Sequence, residues 1–185
     1  MHAQVRIREM LNYRFDVIRH PSVKTFRFYS ARASDSDALT YVAVMAFIIA
    51  LISAFMGGVG SAMNLLLAMI NTLFNFYLFA GVVYFVGKQF GGGGEFESVV
   101  YTFSLFHVPI LLLTWLLQLV AIYVIPDINV FLYIGLLGTA AQAFYAYLAA
   151  QSCLCFSRRL DALLSVGAGI LVFWVIQQIF RTITS

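Results

Sequence analysis

The stretch 88-KQFGGGGEFESVVYTFSLFHVPILLL-113 sets four consecutive glycines between two long apolar runs, with two glutamates directly behind them. Three readings compete: a phosphate-cradling loop, a flexible linker, or a turn between two membrane helices. A P-loop requires Lys and Ser/Thr after its last glycine. Here Glu95, Phe96 and Glu97 follow, so carboxylates stand where an anion would bind. A dinucleotide fingerprint needs a preceding strand, whereas the residues before Gly87 are continuously apolar. The helix turn fits each residue. Glycines let a chain leave one helix through left-handed conformations, and Glu95 and Glu97 then suit the positive start of the next helix. Gly91, Gly92, Gly93 and Gly94 are therefore read as a cytoplasmic hinge loop.

Outward from that loop the chain is poor in charge. Only 10% of its 185 residues are charged and 62% are hydrophobic, against about 25% charged in ordinary soluble domains. Asp, Glu, Lys and Arg are absent from 38–87, 98–126, 128–157 and 162–180, runs of 50, 29, 30 and 19 residues. A membrane helix needs about 20 apolar residues, so three runs hold one span each and the longest holds two, divided at Gly57-Gly58-Val59-Gly60-Ser61. The runs lack the strict alternation of barrel strands. The expected fold is all-α integral membrane, with five transmembrane helices over about 39–56, 63–86, 98–125, 128–152 and 161–180 in a domain of residues 39–181.

Residues 1–38 form a separate basic amphipathic segment that carries the whole net charge of +3. Between Val5 and His20, Ile7, Met10, Leu11, Phe15, Val17 and Ile18 share one helical face, and Pro21 ends the helix. Such a helix is expected to lie interfacially among anionic headgroups, or else to dock on a partner or under its own bundle. No basic stretch runs quickly into an apolar core, so no cleavable signal peptide is expected. With the N-terminus cytoplasmic, ten of the 11 cations lie inside and only Arg181 outside, as the positive-inside rule requires. The C-terminus then lies on the opposite side. Cys153 and Cys155 lack the second ligand pair of a zinc site and are read as small buried hydrophobes.

In their order, several motifs resemble the Yip-domain family, the Ypt/Rab-interacting-protein-like five-span membrane proteins. They are Phe90-Gly91-Gly92, then Phe96, then Pro109 inside the next span, with Ile18-Arg19-His20-Pro21 and Phe26 upstream. The resemblance covers about residues 15–180 and implies a role in trafficking, membrane organisation or larger assemblies, with no established catalysis in the prokaryotic branch. Eukaryotic members carry a long acidic N-terminus that engages small GTPases. The segment here is short and basic, so that partner is not implied, and a bacterial inner membrane is the expected location.

Polar residues inside spans are the best pointers to function. Asn64, Asn71 and Asn75 share a face of the second span; Ser104, His107 and Gln118 share one of the third, while Gly135, Gly138 and Gln142 form a stripe on the fourth. No intramembrane acid orients Ser104 or His107, and no second ligand accompanies His107, so catalytic, metal and cofactor sites are not expected. The expected function is a non-enzymatic scaffold or accessory subunit working through helix–helix and lipid contacts. Its partners would be lipids and another integral membrane protein or itself, not nucleic acid, with Gly135 and Gly138 as a helix-packing or partner surface. The alternative is a small transporter or channel using the polar faces of spans two and three.

Overall fold

A computed structural model describes residues 13, 16–31, 33–57, 62–125 and 127–184. Among these the chain is all-helical, without strands. The helices are α1 (Val23–Ser30), α2 (Asp35–Gly57), α3 (Ala62–Gln89), α4 (Phe96–Val124), α5 (Ile128–Cys153) and α6 (Arg159–Thr184). In α3 to α6 the stretches Leu65–Gln89, Phe96–Val124, Ile128–Cys153 and Arg159–Ile179 are each long and apolar enough to cross a membrane. A shorter apolar stretch, Ser36–Ile52, lies in α2, where the first span was expected. This is an all-α membrane protein.

The five long helices close on themselves. α2 packs on α3 and α4, α3 on α6, α6 on α5, and α5 on α4, so the chain order is not the order around the ring. Short connections alternate between its two ends. The near end holds α1, the glycine turn between α3 and α4, and the turn between α5 and α6. The far end holds the other two connections. In the near half the ring is solid: Phe76, Val83, Val99, Phe103 and Phe106 meet Ala146, Ala149 and Ala150 of α5, all buried. Small side chains on α5 let the aromatic face of α4 approach closely, which is how helices associate where hydrocarbon offers no hydrophobic drive.

The four glycines each have a different task. α3 ends in a Schellman motif: Gly92 N–H donates to Gly87 O at 2.9 Å and Gly91 N–H to Lys88 O at 3.1 Å. That geometry needs a left-handed residue, and Gly91 has φ +81°. Gly93 N–H donates to Leu154 O at 2.9 Å, fastening the turn to the α5–α6 connection. A Cβ on Gly94 would overlap the Cys153 carbonyl oxygen, while one on Gly93 would meet nothing within 4 Å. Tyr84 and Phe96 pack across the turn with centroids 5.4 Å apart. Glu95 is the α4 N-cap residue without a side-chain cap bond, and Glu97 lies in the first turn.

At its near end the ring also carries α1, a helix not anticipated within residues 1–38. Its N-cap Ser22 Oγ accepts from Thr25 N–H at 3.1 Å. Phe26 is fully buried and meets Phe106 and Tyr145 edge-on, with centroids 6.1 and 6.5 Å away. Most of Val5–His20, expected at the interface, lies outside the described residues. Its end, Asp16–Arg19, is helical and breaks before Pro21. There Val17 is fully buried, Tyr29 Oη donates to Asp16 Oδ2 at 2.8 Å and Tyr145 Oη donates to Ile18 O at 2.9 Å. These residues are docked under the bundle rather than laid on headgroups. A single apolar stripe cannot distinguish lipid from a protein groove as its cover.

The cysteines also depart from expectation. Cys153 is buried at the end of α5, but Cys155 is exposed in the turn beyond it, with φ +52°. The helix stops between the two, so helical spacing does not govern where Cys155 points.

Candidate functional site

Inside the ring, from its middle towards the far end, is a cavity of about 590 Å³ to which all five long helices contribute. Ile49 comes from α2; Asn71, Thr72, Asn75 and Phe79 from α3; His107, Leu111 and Trp115 from α4. α5 supplies Thr139, Gln142 and Ala143, and α6 supplies Ile170, Phe173, Trp174, Gln177 and Gln178. No Asp, Glu, Lys or Arg is among them. Helical rise fixes the depths. At about 1.5 Å per residue, His107 and Gln142 both lie about 16 Å from the near end, and Thr139 and Trp174 about 21 Å.

Two hydrogen-bonded groups tie the helices across the cavity. His107 Nδ1–H donates to Gln142 Oε1 at 2.7 Å, joining α4 to α5, and the imidazole packs 5.1 Å from the Phe76 ring. The partner is thus an amide of the neighbouring helix, not a backbone carbonyl freed by Pro109. On the other side Gln177 Nε2 donates to Asn75 Oδ1 at 3.0 Å and Asn75 Nδ2 to Asn71 Oδ1 at 3.2 Å, joining α6 to α3. Thr72 and Thr139 return their hydroxyls to Ala68 O and Gly135 O of their own helices.

Of the polar residues singled out from sequence, Asn71, Asn75, His107 and Gln142 come together in this cavity. Ser104 does not: it is buried and donates to Tyr101 O at 2.7 Å. Gln118 faces α5 instead, its Nε2 lying 3.4 Å from Phe131 O. The Asn64 side chain lies outside the described residues. Gln177, of the Gln177-Gln178 amide pair near the outer end of the last apolar run, completes the wall with Thr139 and both tryptophans. A lone tryptophan in such a run carries no signal of its own.

Gly135 and Gly138 lie against α4 of the same chain. A Cβ on Gly135 would approach Gln118 Nε2 to 3.2 Å; one on Gly138 would overlap Thr114 Oγ1 and approach its Cγ2 to 2.8 Å. Thr114 cannot swing aside freely, since it is β-branched and its hydroxyl holds Ile110 O at 2.8 Å. Gly138→Ala is therefore expected to cost about 2 kcal/mol through overpacking, read as a lower unfolding temperature in detergent. Gly167→Ala, with nothing within 4 Å of an added Cβ, should leave it unchanged or raise it. Equal effects would remove the close α4–α5 approach as the cause.

Neutral amides, an imidazole and indoles in the wall can hold a polar group, and no Asp or Glu lines the cavity. Among the described residues no three His, Cys, Asp or Glu gather as a metal site. A family model described as the Yip1 domain matches residues 15–177 of the chain. No curated protein and no solved structure matches it.

Proposed function

We propose, from the premise that this chain belongs to the Yip1-domain family, that it is a non-enzymatic membrane scaffold or accessory subunit acting through helix–helix and lipid contacts. The observation that carries this reading is the solid near half of the ring. Phe76, Phe103 and Phe106 fill it, with Phe26 of α1 in the same buried cluster. The outward faces support it further, since Leu136, Leu137, Leu163, Leu171 and Phe85 are exposed and suit lipid or a neighbouring span. The crowding of cations around α1, the glycine turn and the α5–α6 turn favours a cytoplasmic near end, in a bacterial inner membrane.

The test is recovery of the tagged chain from native membranes in mild detergent, with the stoichiometry of what stays bound. A second membrane protein at fixed ratio is expected, unchanged in the Asn71→Leu/Asn75→Leu variant. That variant loses the hydrogen bonds from Asn75 to Asn71 and from Gln177 to Asn75, each worth about 1 kcal/mol of stability. Recovery of the chain alone would sink the subunit reading. The polar cavity favours a second reading, passage of a small neutral solute. Under it, the same variant would abolish a solute flux in proteoliposomes while partner recovery fails.

A further inference from the structure

The cavity has the size of a ligand site rather than of a packing defect. About 300–1,000 Å³ is usual for small-molecule pockets, and this one holds about 590 Å³. Its hydrogen-bond groups are only half used. Asn71 Oδ1 accepts from Asn75 and Gln142 Oε1 accepts from His107, which leaves the NH₂ groups of Asn71 and Gln142 without partners among the described residues. Gln177 spends its NH₂ on Asn75 and keeps its carbonyl. These three amides thus offer two donors and an acceptor, all neutral. A phosphate or ammonium brought here would find no counter-charge, and an unpaired charge in such surroundings is expensive. A hydroxyl or amide, which both donates and accepts, would be matched.

Access decides what carries that group. Thr139 on α5 is exposed, and Trp174 on the adjoining α6 is 62% exposed. Both line the cavity, and both stand at the same depth within segments long and apolar enough to cross a membrane. The cavity therefore reaches the side of the bundle between α5 and α6, at a depth where hydrocarbon surrounds these helices. By that route a lipid lies at its mouth. We propose that the cavity binds one neutral amphipathic lipid, its hydroxyl- or amide-bearing head held by Asn71, Gln142 and Gln177 and its tail leaving between α5 and α6 past Trp174. This goes beyond the scaffold reading and stands on the cavity alone, whether or not a protein partner is found.

The chain's two tryptophans, Trp115 and Trp174, both line the cavity, so intrinsic fluorescence reports on it directly. The full chain would be placed in nanodiscs of dioleoylphosphatidylcholine and titrated with a monoacylglycerol brominated on its chain. Saturable quenching at low mole fraction is expected, above the gradual quenching produced by brominated phosphatidylcholine. Gln142→Leu should raise the half-saturating fraction about fivefold, the effect of one neutral hydrogen bond. Ala143→Leu removes no polar group and fills the space, so it should abolish the saturable part; it keeps the test decisive if the Gln142 variant does not fold. Quenching without saturation, or saturation unchanged in Ala143→Leu, would overturn the proposal. Brominated phosphatidylglycerol binding as tightly would overturn the neutral-head assignment. Displacement of the probe by millimolar glycerol would show a free solute to be the ligand and overturn the lipid.

Discussion

Phe26→Ala is expected to lower the stability of the folded chain by about 3–5 kcal/mol, the range for truncating a fully buried phenylalanine. Phe26 has no exposed surface and is the residue through which α1 reaches the ring. Its edge contacts run to Phe106 of α4 and Tyr145 of α5, so its removal leaves a void where three helices meet. That cost does not depend on whether water or lipid surrounds the protein, because a void has no partner atoms under either solvent. Tyr145 also holds Ile18 O, so loosening its ring should release Asp16–Arg19 as well. The measurement is hydrogen exchange over residues 16–31 with thermal unfolding in the same detergent. Phe28→Ala, where 55% of the side chain is exposed, should cost about 1 kcal/mol or less. Similar effects at the two positions would mean that α1 rests on the surface and is not keyed into the bundle.

The second large effect separates two neighbouring glycines. Gly94→Ala places a methyl group on the Cys153 carbonyl and within 3.1 Å of Leu154 Cα. Backbone cannot rotate aside as a side chain can, so the two connections must part, and the bond from Gly93 N–H to Leu154 O is then lost. Overpacking at about 1–3 kcal/mol with a broken hydrogen bond of about 1 kcal/mol gives about 3 kcal/mol in all. Gly93→Ala faces open space and should stay within about 0.5 kcal/mol of the native chain. Unfolding midpoints of the two variants check this. If both behave like the native chain, the clasp between the connections contributes nothing.

Helix positions were readable because charge is excluded from hydrocarbon, and the charge-free runs therefore fall where the long helices do. The order of helices around the ring was not readable. A polar stripe says which face of a helix turns inward but not which helix it will meet. Asn71, Asn75, His107 and Gln142 carry side chains long enough to seek a partner on another helix, and they gathered. Ser104 did not, since a short hydroxyl can satisfy itself on its own backbone. Gln118 shares the helical face of His107 but lies about three turns further along α4, beyond the cavity, where it meets Phe131 O of α5. α1 escaped notice because its signal is small: Phe26 and Tyr29, three residues apart, sit within a basic stretch that reads as surface. Four glycines in a row suggested general pliancy, yet only Gly91 needs a left-handed backbone, while Gly92 and Gly94 are required by what lies against them.

Docking α1 at one end has a mechanical result. The near half is filled, with Phe26 of α1 buried against Phe106 of α4 and Tyr145 of α5. In the far half the same five helices surround open space. Resistance to deformation is therefore uneven along the bundle, high where packing is complete and lower around the cavity.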